Sequence, residues 1–146
     1  MNESLLIVLE DNSDRVTEMK KCLESLKASP KTIFFDNAPD MIHWLVKNFN
    51  SIGLISLDHD LGPNRVRDGE TFDPGTGKDV VLRLIEHSPL FPVILHTSNY
   101  DAVIGMLTDL ELSGWEVVRT IPMEGESWIR ETWLPMIKKM FYRERK

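Results

Sequence analysis

Short, almost uninterrupted apolar runs alternate with longer amphipathic stretches along this 146-residue chain, and that alternation restricts the fold more than any other feature. The runs are Leu5 to Leu9, Thr32 to Phe35, Gly53 to Leu57, Pro92 to Leu95 and Trp115 to Arg119. They have strand length and carry few polar residues, which predicts strands covered on both faces. Between them, Ser13 to Leu26, Ala38 to Phe49, Lys78 to His87 and Tyr100 to Leu112 return apolar residues at helical spacing, as Val16, Met19, Leu23 and Leu26 do in the first. Lys20 is the polar member of that stripe, since its stem can pack while its ammonium stays in water. A fifth helix, Trp128 to Tyr142, closes the chain, with Pro135 bending it or breaking its first half. The expected fold is α/β: a single five-stranded parallel sheet with helices on both faces, one domain over residues 1–146.

One connection departs from this rhythm. Gly62 to Gly77, GPNRVRDGETFDPGTG, holds four glycines and two prolines and shows neither period, so it reads as a long irregular loop with a functional or mobile role.

Composition narrows the class of function. With 42% hydrophobic residues the chain can bury a core, and with Cys22 as its sole cysteine it can build neither an internal disulfide nor a thiolate metal cluster. That usage, and an N-terminus without a basic leader or cleavage site, points to a soluble cytoplasmic protein. No apolar run is long enough to span a bilayer. A net charge of −6 argues against broad binding to phosphate backbones. The basic residues Lys138, Lys139, Arg143, Arg145 and Lys146 read first as a solvated helix end that complements the helix dipole. Trp115, Trp128 and Trp133 read as core or interface, with core favoured.

In an open parallel sheet, ligands collect at the carboxyl ends of the strands, and polar residues bunch there in this sequence. Glu10, Asp11 and Asn12 follow the first run, Asp36 and Asn37 the second, Asp58, His59 and Asp60 the third, His96, Thr97, Ser98 and Asn99 the fourth, and Arg119 and Thr120 the fifth. Carboxylates from Glu10, Asp11 and Asp58 brought close together need a proton or a cation, and an all-oxygen set suits Mg2+ or Mn2+ better than zinc. The competing reading of Glu10-Asp11-Asn12 is a helix cap, and of Asp60 a turn before Gly62. His59 reads equally as a turn residue or as a ligand or proton carrier, and His96 as a satisfied core histidine or a second proton carrier. Thr97, Ser98 and Asn99 can cap a helix and can also hold phosphate.

With elements and residues in this order, the chain resembles the receiver domain of bacterial response regulators, a (βα)5 flavodoxin-like fold. The matching residues are Glu10 and Asp11, Asp58, and Thr97. The resemblance implies that the acids hold magnesium, that Asp58 accepts a phosphoryl group and that Thr97 contacts it. Receivers carry a lysine before a proline after the fifth strand; in GWEVVRTIP that place is taken by Ile121 before Pro122, with Arg119 as the substitute cation.

The combination SLDHDLG at 56–62, Thr76-Gly77 opening a helix, and His96-Thr97-x-Asn99 followed by Met106 is similar to the cyclic-phosphate-processing receiver family, whose pattern Arg15 also fits. That resemblance implies processing of cyclic phosphates on nucleotides or RNA ends. Glu10, Asp11, Asp58 and Asp60 are then the metal set with Mg2+ or Mn2+. Asp58, His59 and His96 are the chemical groups, while Thr97, Asn99, Arg15 and Arg119, with Arg65 or Arg67 from the loop, hold phosphate. The implied ligand is a phosphate-containing small molecule or an RNA end, and the implied activity a metal-dependent phosphoesterase. Two other readings stay open: a receiver phosphorylated on Asp58 that engages a protein through its last helix and strand, and a degenerate receiver that only binds proteins.

Overall fold

The structure is a computed structural model and describes residues 4–143, so Arg145 and Lys146 of the basic terminus lie outside the described residues. In chain order the elements are β1 (Leu5–Leu9), α1 (Ser13–Glu24), β2 (Thr32–Phe35), α2 (Ala38–Asn48), β3 (Ile52–Leu57), β4 (Arg65–Arg67), β5 (Glu70–Phe72), α3 (Gly77–Leu84), β6 (Val93–Leu95), α4 (Tyr100–Leu112), β7 (Val117–Arg119) and α5 (Leu134–Phe141). Five strands form one parallel sheet in the order β2-β1-β3-β6-β7, as the alternation of runs and helices predicts.

Each face of the sheet buries its own core. Ile7, Leu9, Ile55, Leu57, Val93 and Leu95 point to one side, where α2, α3 and α4 cover them through residues such as Met41, Val81 and Met106. Leu6, Val8, Leu54 and Ile94 point to the other and meet α1, α5 and the turn that precedes α5 through Met19, Leu23, Ile137 and Trp133. Trp115, Trp128 and Trp133 are all core residues. Lys20 behaves as its pattern predicts, with Nζ 5.4 Å from the centre of the Phe34 ring at the rim of this second core.

The strand-to-helix loops are closed by caps. The side-chain oxygens of Asn12, Asn37 and Asn99 accept from the backbone N–H groups of Arg15, Asp40 and Ala102 at 3.0, 2.8 and 3.0 Å. Thr76 and Asp79 form a reciprocal capping box at the start of α3. Polar residues after β1, β2 and β6 therefore start the following helix and aim its N-terminus at the carboxyl edge of the sheet.

Two segments differ from expectation. The stretch 62–77 is not irregular throughout: β4 and β5 pair antiparallel, Arg65 opposite Phe72 and Arg67 opposite Glu70. Asp68 (φ 54°) and Gly69 (φ 80°) make the turn, both left-handed as a two-residue hairpin turn requires. Arg65 donates to the Asp36 carbonyl at 2.8 Å, and Arg67 grips Asp40 through two bonds of 2.9 and 3.1 Å, fastening the hairpin to the β2–α2 connection. The last helix runs on through Pro135, and its irregularity lies just ahead of the proline. A five-residue π turn, Ile129–Trp133, precedes α5, with the Leu134 N–H reaching back to the Ile129 carbonyl ahead of Pro135. Arg143 pairs with Glu116. Among the described residues no helix is long and apolar enough to cross a membrane.

Candidate functional site

The site is a consequence of register. Leu9, Leu57 and Leu95 are aligned across β1, β3 and β6, and the backbone ladder continues one residue further. Glu10 N–H donates to the Phe35 carbonyl, Asp58 N–H to Leu9, His96 N–H to Leu57 and Thr120 N–H to Leu95, at 2.9, 3.0, 2.8 and 2.9 Å. Glu10, Asp58, His96 and Thr120 thus stand in a row along the carboxyl edge, all on the α1–α5 side by strand alternation. All four are buried.

Oxygens of Glu10, Asp11 and Asp58 lie within 4.8 Å of one another. Glu10 is 1% exposed and Asp58 6%, with Asp11 the most open of the three. Gly62, at φ +82°, brings the start of the hairpin segment against Asp11, and a Cβ there would sit 3.3 Å from its carboxylate. Behind Asp58 the chain is packed more tightly. Gly77 N–H donates to the His59 carbonyl at 2.9 Å, and a Cβ on Gly77 would lie 2.0 Å from the Asp58 carbonyl oxygen. Only glycine fits where α3 starts, which explains Thr76-Gly77 at that point in the sequence.

Burial is the largest single influence on each carboxyl of the trio. It raises Asp58 to about 7, with His96 opposing the shift and the Glu10 charge adding to it. Burial also acts to raise Glu10, but contacts with His96, the Asn12 N–H and Arg15 outweigh it and hold that carboxyl below its ordinary value. Asp11 is raised by burial and by the neighbouring Glu10. Arg15 supplies the local cation: Nη1 lies 3.5 Å from Glu10 Oε1 and 3.8 Å from Asp58 Oδ2, with its guanidinium 5.3 Å from the Trp128 ring centre.

The other expected site residues divide. His96 is completely buried; its Nδ1 is 2.6 Å from Ser56 Oγ and its Nε2 3.3 Å from Glu10 Oε1, so both nitrogens face protein groups. His59 is half-buried, and its Nδ1 has no hydrogen-bond partner among the described residues. Asp60 is not brought to the acidic trio: it bridges to Thr76, and its carboxylate receives Asn99 Nδ2 at 3.2 Å. Asn99 is therefore engaged at both ends of its amide, by Asp60 and by the cap of α4. Thr97 is buried beside His96, its hydroxyl oxygen accepting from the Asn99 N–H at 3.1 Å. Arg119 lies level with Leu95 on the sheet face opposite His96, and Nη2 reaches the Thr97 carbonyl at 3.4 Å. Arg65 and Arg67 are held by Asp36 and Asp40. Ile121, which stands before Pro122 after β7, is half exposed, and the cation beside Asp58 is Arg15 of α1.

Ser56 and Trp133 belong to the site although neither was expected there. Trp133 Nε1 donates to Ser56 Oγ at 3.0 Å, extending the buried chain Ser56–His96–Glu10. A lone hydroxyl inside the fully buried run Ile52–Leu57 was the available signal, because a buried polar group needs partners. Beside the trio, a cavity of about 530 Å3 opens between α1 and the β2–α2 connection, lined by Glu10, Asp11, Thr17, Lys20, Phe34 and Asn37 among others.

Comparison with known proteins bears on the family and the fold. The family model described as "Cyclic-phosphate processing Receiver domain" matches residues 6–112. Among curated proteins none matches in sequence. The phosphorylated cyanobacterial phytochrome response regulator RcpA is similar in structure, with 12% identity, 98% of this chain and 97% of that one covered, and a TM-score of 0.75. The Mn2+-bound form of the response regulator Rcp1 aligns with 14% identity, 97% of each chain covered and a TM-score of 0.73. The response regulator domain of Thermotoga maritima CheB aligns with 12% identity, 99% and 100% coverage and a TM-score of 0.65. These structures share the fold.

Proposed function

The chain belongs to the cyclic-phosphate processing receiver family, and from that premise we propose that it hydrolyses a cyclic phosphate ester with the help of a divalent metal ion. The observation that carries this reading is the oxygen trio Glu10, Asp11 and Asp58, drawn within 4.8 Å at the carboxyl edge of the sheet. Its donors are all carboxylates, two of them buried, which fits Mg2+ or Mn2+. When bound, such an ion neutralises charge on the non-bridging phosphate oxygens.

The remaining tasks fall to the chain's own groups. Arg15 sits close enough to the trio to meet a phosphate oxygen, and the Thr97 hydroxyl retains a proton to donate. His59, half-buried and directly after Asp58, is the group we assign to proton transfer: it takes the proton of the attacking water and returns it to the ribose oxygen that leaves. Water adds to phosphorus, one P–O bond of the ring breaks, and a phosphomonoester remains. His96 faces Glu10 and acts through it. The adjoining cavity has the size of a small-molecule site and shares Glu10 and Asp11 with the trio, so a nucleotide or the last residue of an RNA fits the ligand class.

A second reading draws on the receiver fold and on Asp58 at the end of β3: storage of a phosphoryl group for signalling. Acetyl phosphate with Mg2+ separates the two. The hydrolase reading expects no stable phosphoryl adduct on Asp58 by intact mass and expects opening of 2′,3′-cyclic nucleotides; a lasting adduct without ring opening favours signalling.

A further inference from the structure

Ser56 is a single hydroxyl within a strand whose residues are all buried, and two ring nitrogens converge on it. Trp133 Nε1 lies 3.0 Å from its Oγ and His96 Nδ1 2.6 Å, with all three residues at 0% exposure. An indole N–H can only donate, so Ser56 Oγ accepts from Trp133. If His96 also donated from Nδ1, the buried hydroxyl proton would have no acceptor among the described residues, a costly arrangement. The assignment that satisfies both Ser56 and Trp133 has Ser56 Oγ–H donating to Nδ1. The imidazole then carries its proton on Nε2, the atom that faces Glu10 Oε1 at 3.3 Å.

We infer that Ser56 and Trp133 are positioning residues that fix the His96 tautomer and, through its Nε2–H, hold the Glu10 carboxylate toward Asp11 and Asp58. The π turn has a place in this chain. Trp133 is its last residue, and removing the extra residue of such a turn would rotate the following side chains by about 100°, carrying the indole off Ser56. The backbone of Glu10 is fixed by the sheet, Asn12 N–H takes Oε2 at 3.1 Å, and Oε1 lies between Arg15 Nη1 at 3.5 Å and His96 Nε2 at 3.3 Å, so the proton on that ring nitrogen bears directly on how the carboxylate is held. The functional consequence rests on the metal reading proposed above; the His96 tautomer, set by the Trp133–Ser56–His96 hydrogen bonds, does not.

Nitrogen NMR of the full chain, recorded metal-free, tests the tautomer, and calorimetric titration with Mn2+ tests its consequence. The wild-type protein is expected to show His96 protonated on Nε2 and bare on Nδ1. Ser56→Ala is expected to lose that single tautomer and to bind Mn2+ about tenfold more weakly. Ser56→Thr, which restores the hydroxyl, is expected to recover both. Trp133→Phe keeps the ring and removes only the indole donor, and is expected to broaden the His96 signals with a smaller loss of affinity; it serves if Ser56→Ala does not fold. A wild-type His96 carrying its proton on Nδ1 overturns the inference, as does a Ser56→Ala protein with unchanged tautomer and Mn2+ affinity. A wild-type chain that binds no Mn2+ removes the metal reading, and the tautomer spectra still decide the positioning role.

Discussion

Arg15 Nη1 lies 3.8 Å from Asp58 Oδ2, so the positive charge next to the central carboxylate rises from the first turn of α1. The Asn12 cap fixes where that turn begins, and the Trp128 ring supports the guanidinium from below. The side chain stays about a quarter exposed, which leaves it free to shift from carboxylates to an incoming phosphate.

Arg15→Ala should separate metal from phosphate recognition. Removing the guanidinium takes away a cation that competes for Glu10 and Asp58, so Mn2+ affinity should hold or increase. Binding of inorganic phosphate to the Mn2+-loaded protein should weaken about tenfold, the loss of one charged hydrogen bond. Titration calorimetry with each ligand in turn checks both halves.

Metal binding should depend on pH through Asp58. Burial raises its carboxyl from 3.8 to about 7, so below that pH a proton must leave before a metal can bind. Mn2+ affinity should fall about tenfold between pH 8 and pH 6 and level off above pH 8.

The same shift reaches stability, with a definite sign. Between about pH 4 and pH 7 the folded metal-free protein holds a proton on Asp58 that the unfolded chain has released, so this group's contribution falls as pH rises through that window. Asp58→Asn removes the penalty. In EDTA at pH 8 the variant should be more stable than wild type by on the order of 2 kcal/mol in urea unfolding, with the difference disappearing near pH 4.

Gly77→Ala should damage site and fold together. A Cβ 2.0 Å from the Asp58 carbonyl oxygen meets backbone, which cannot swing aside as a side chain would. A loss of about 3 kcal/mol in unfolding free energy is expected, with weakened Mn2+ binding in the folded fraction.

Much of this layout was legible in the sequence. The central strands β1, β3 and β6 are buried almost throughout and the edge strands β2 and β7 half-buried, so their apolar runs stand out against the chain, and the rule that sites form at carboxyl edges leads straight to Glu10, Asp11 and Asp58. The hairpin was harder to see because β4 and β5 are three residues each, too short to show alternation. Its Asp68-Gly69 turn was the available sign. Asp60 was read into the metal set as part of the motif SLDHDLG, but the chain turns there to pair with Thr76 and directs its carboxylate to Asn99. Trp133 reaches Ser56 across 77 positions of sequence, a contact that only the packing of the last helix creates.

Phosphorus NMR of a 2′,3′-cyclic nucleotide incubated with the Mn2+-loaded chain, recorded after an EDTA quench and beside the Asp58→Asn variant, bears most directly on what the trio does. Conversion of the cyclic resonance to a phosphomonoester by wild type, and none by the variant, is the predicted result. A wild-type chain that binds Mn2+ yet leaves the cyclic resonance intact would contradict it.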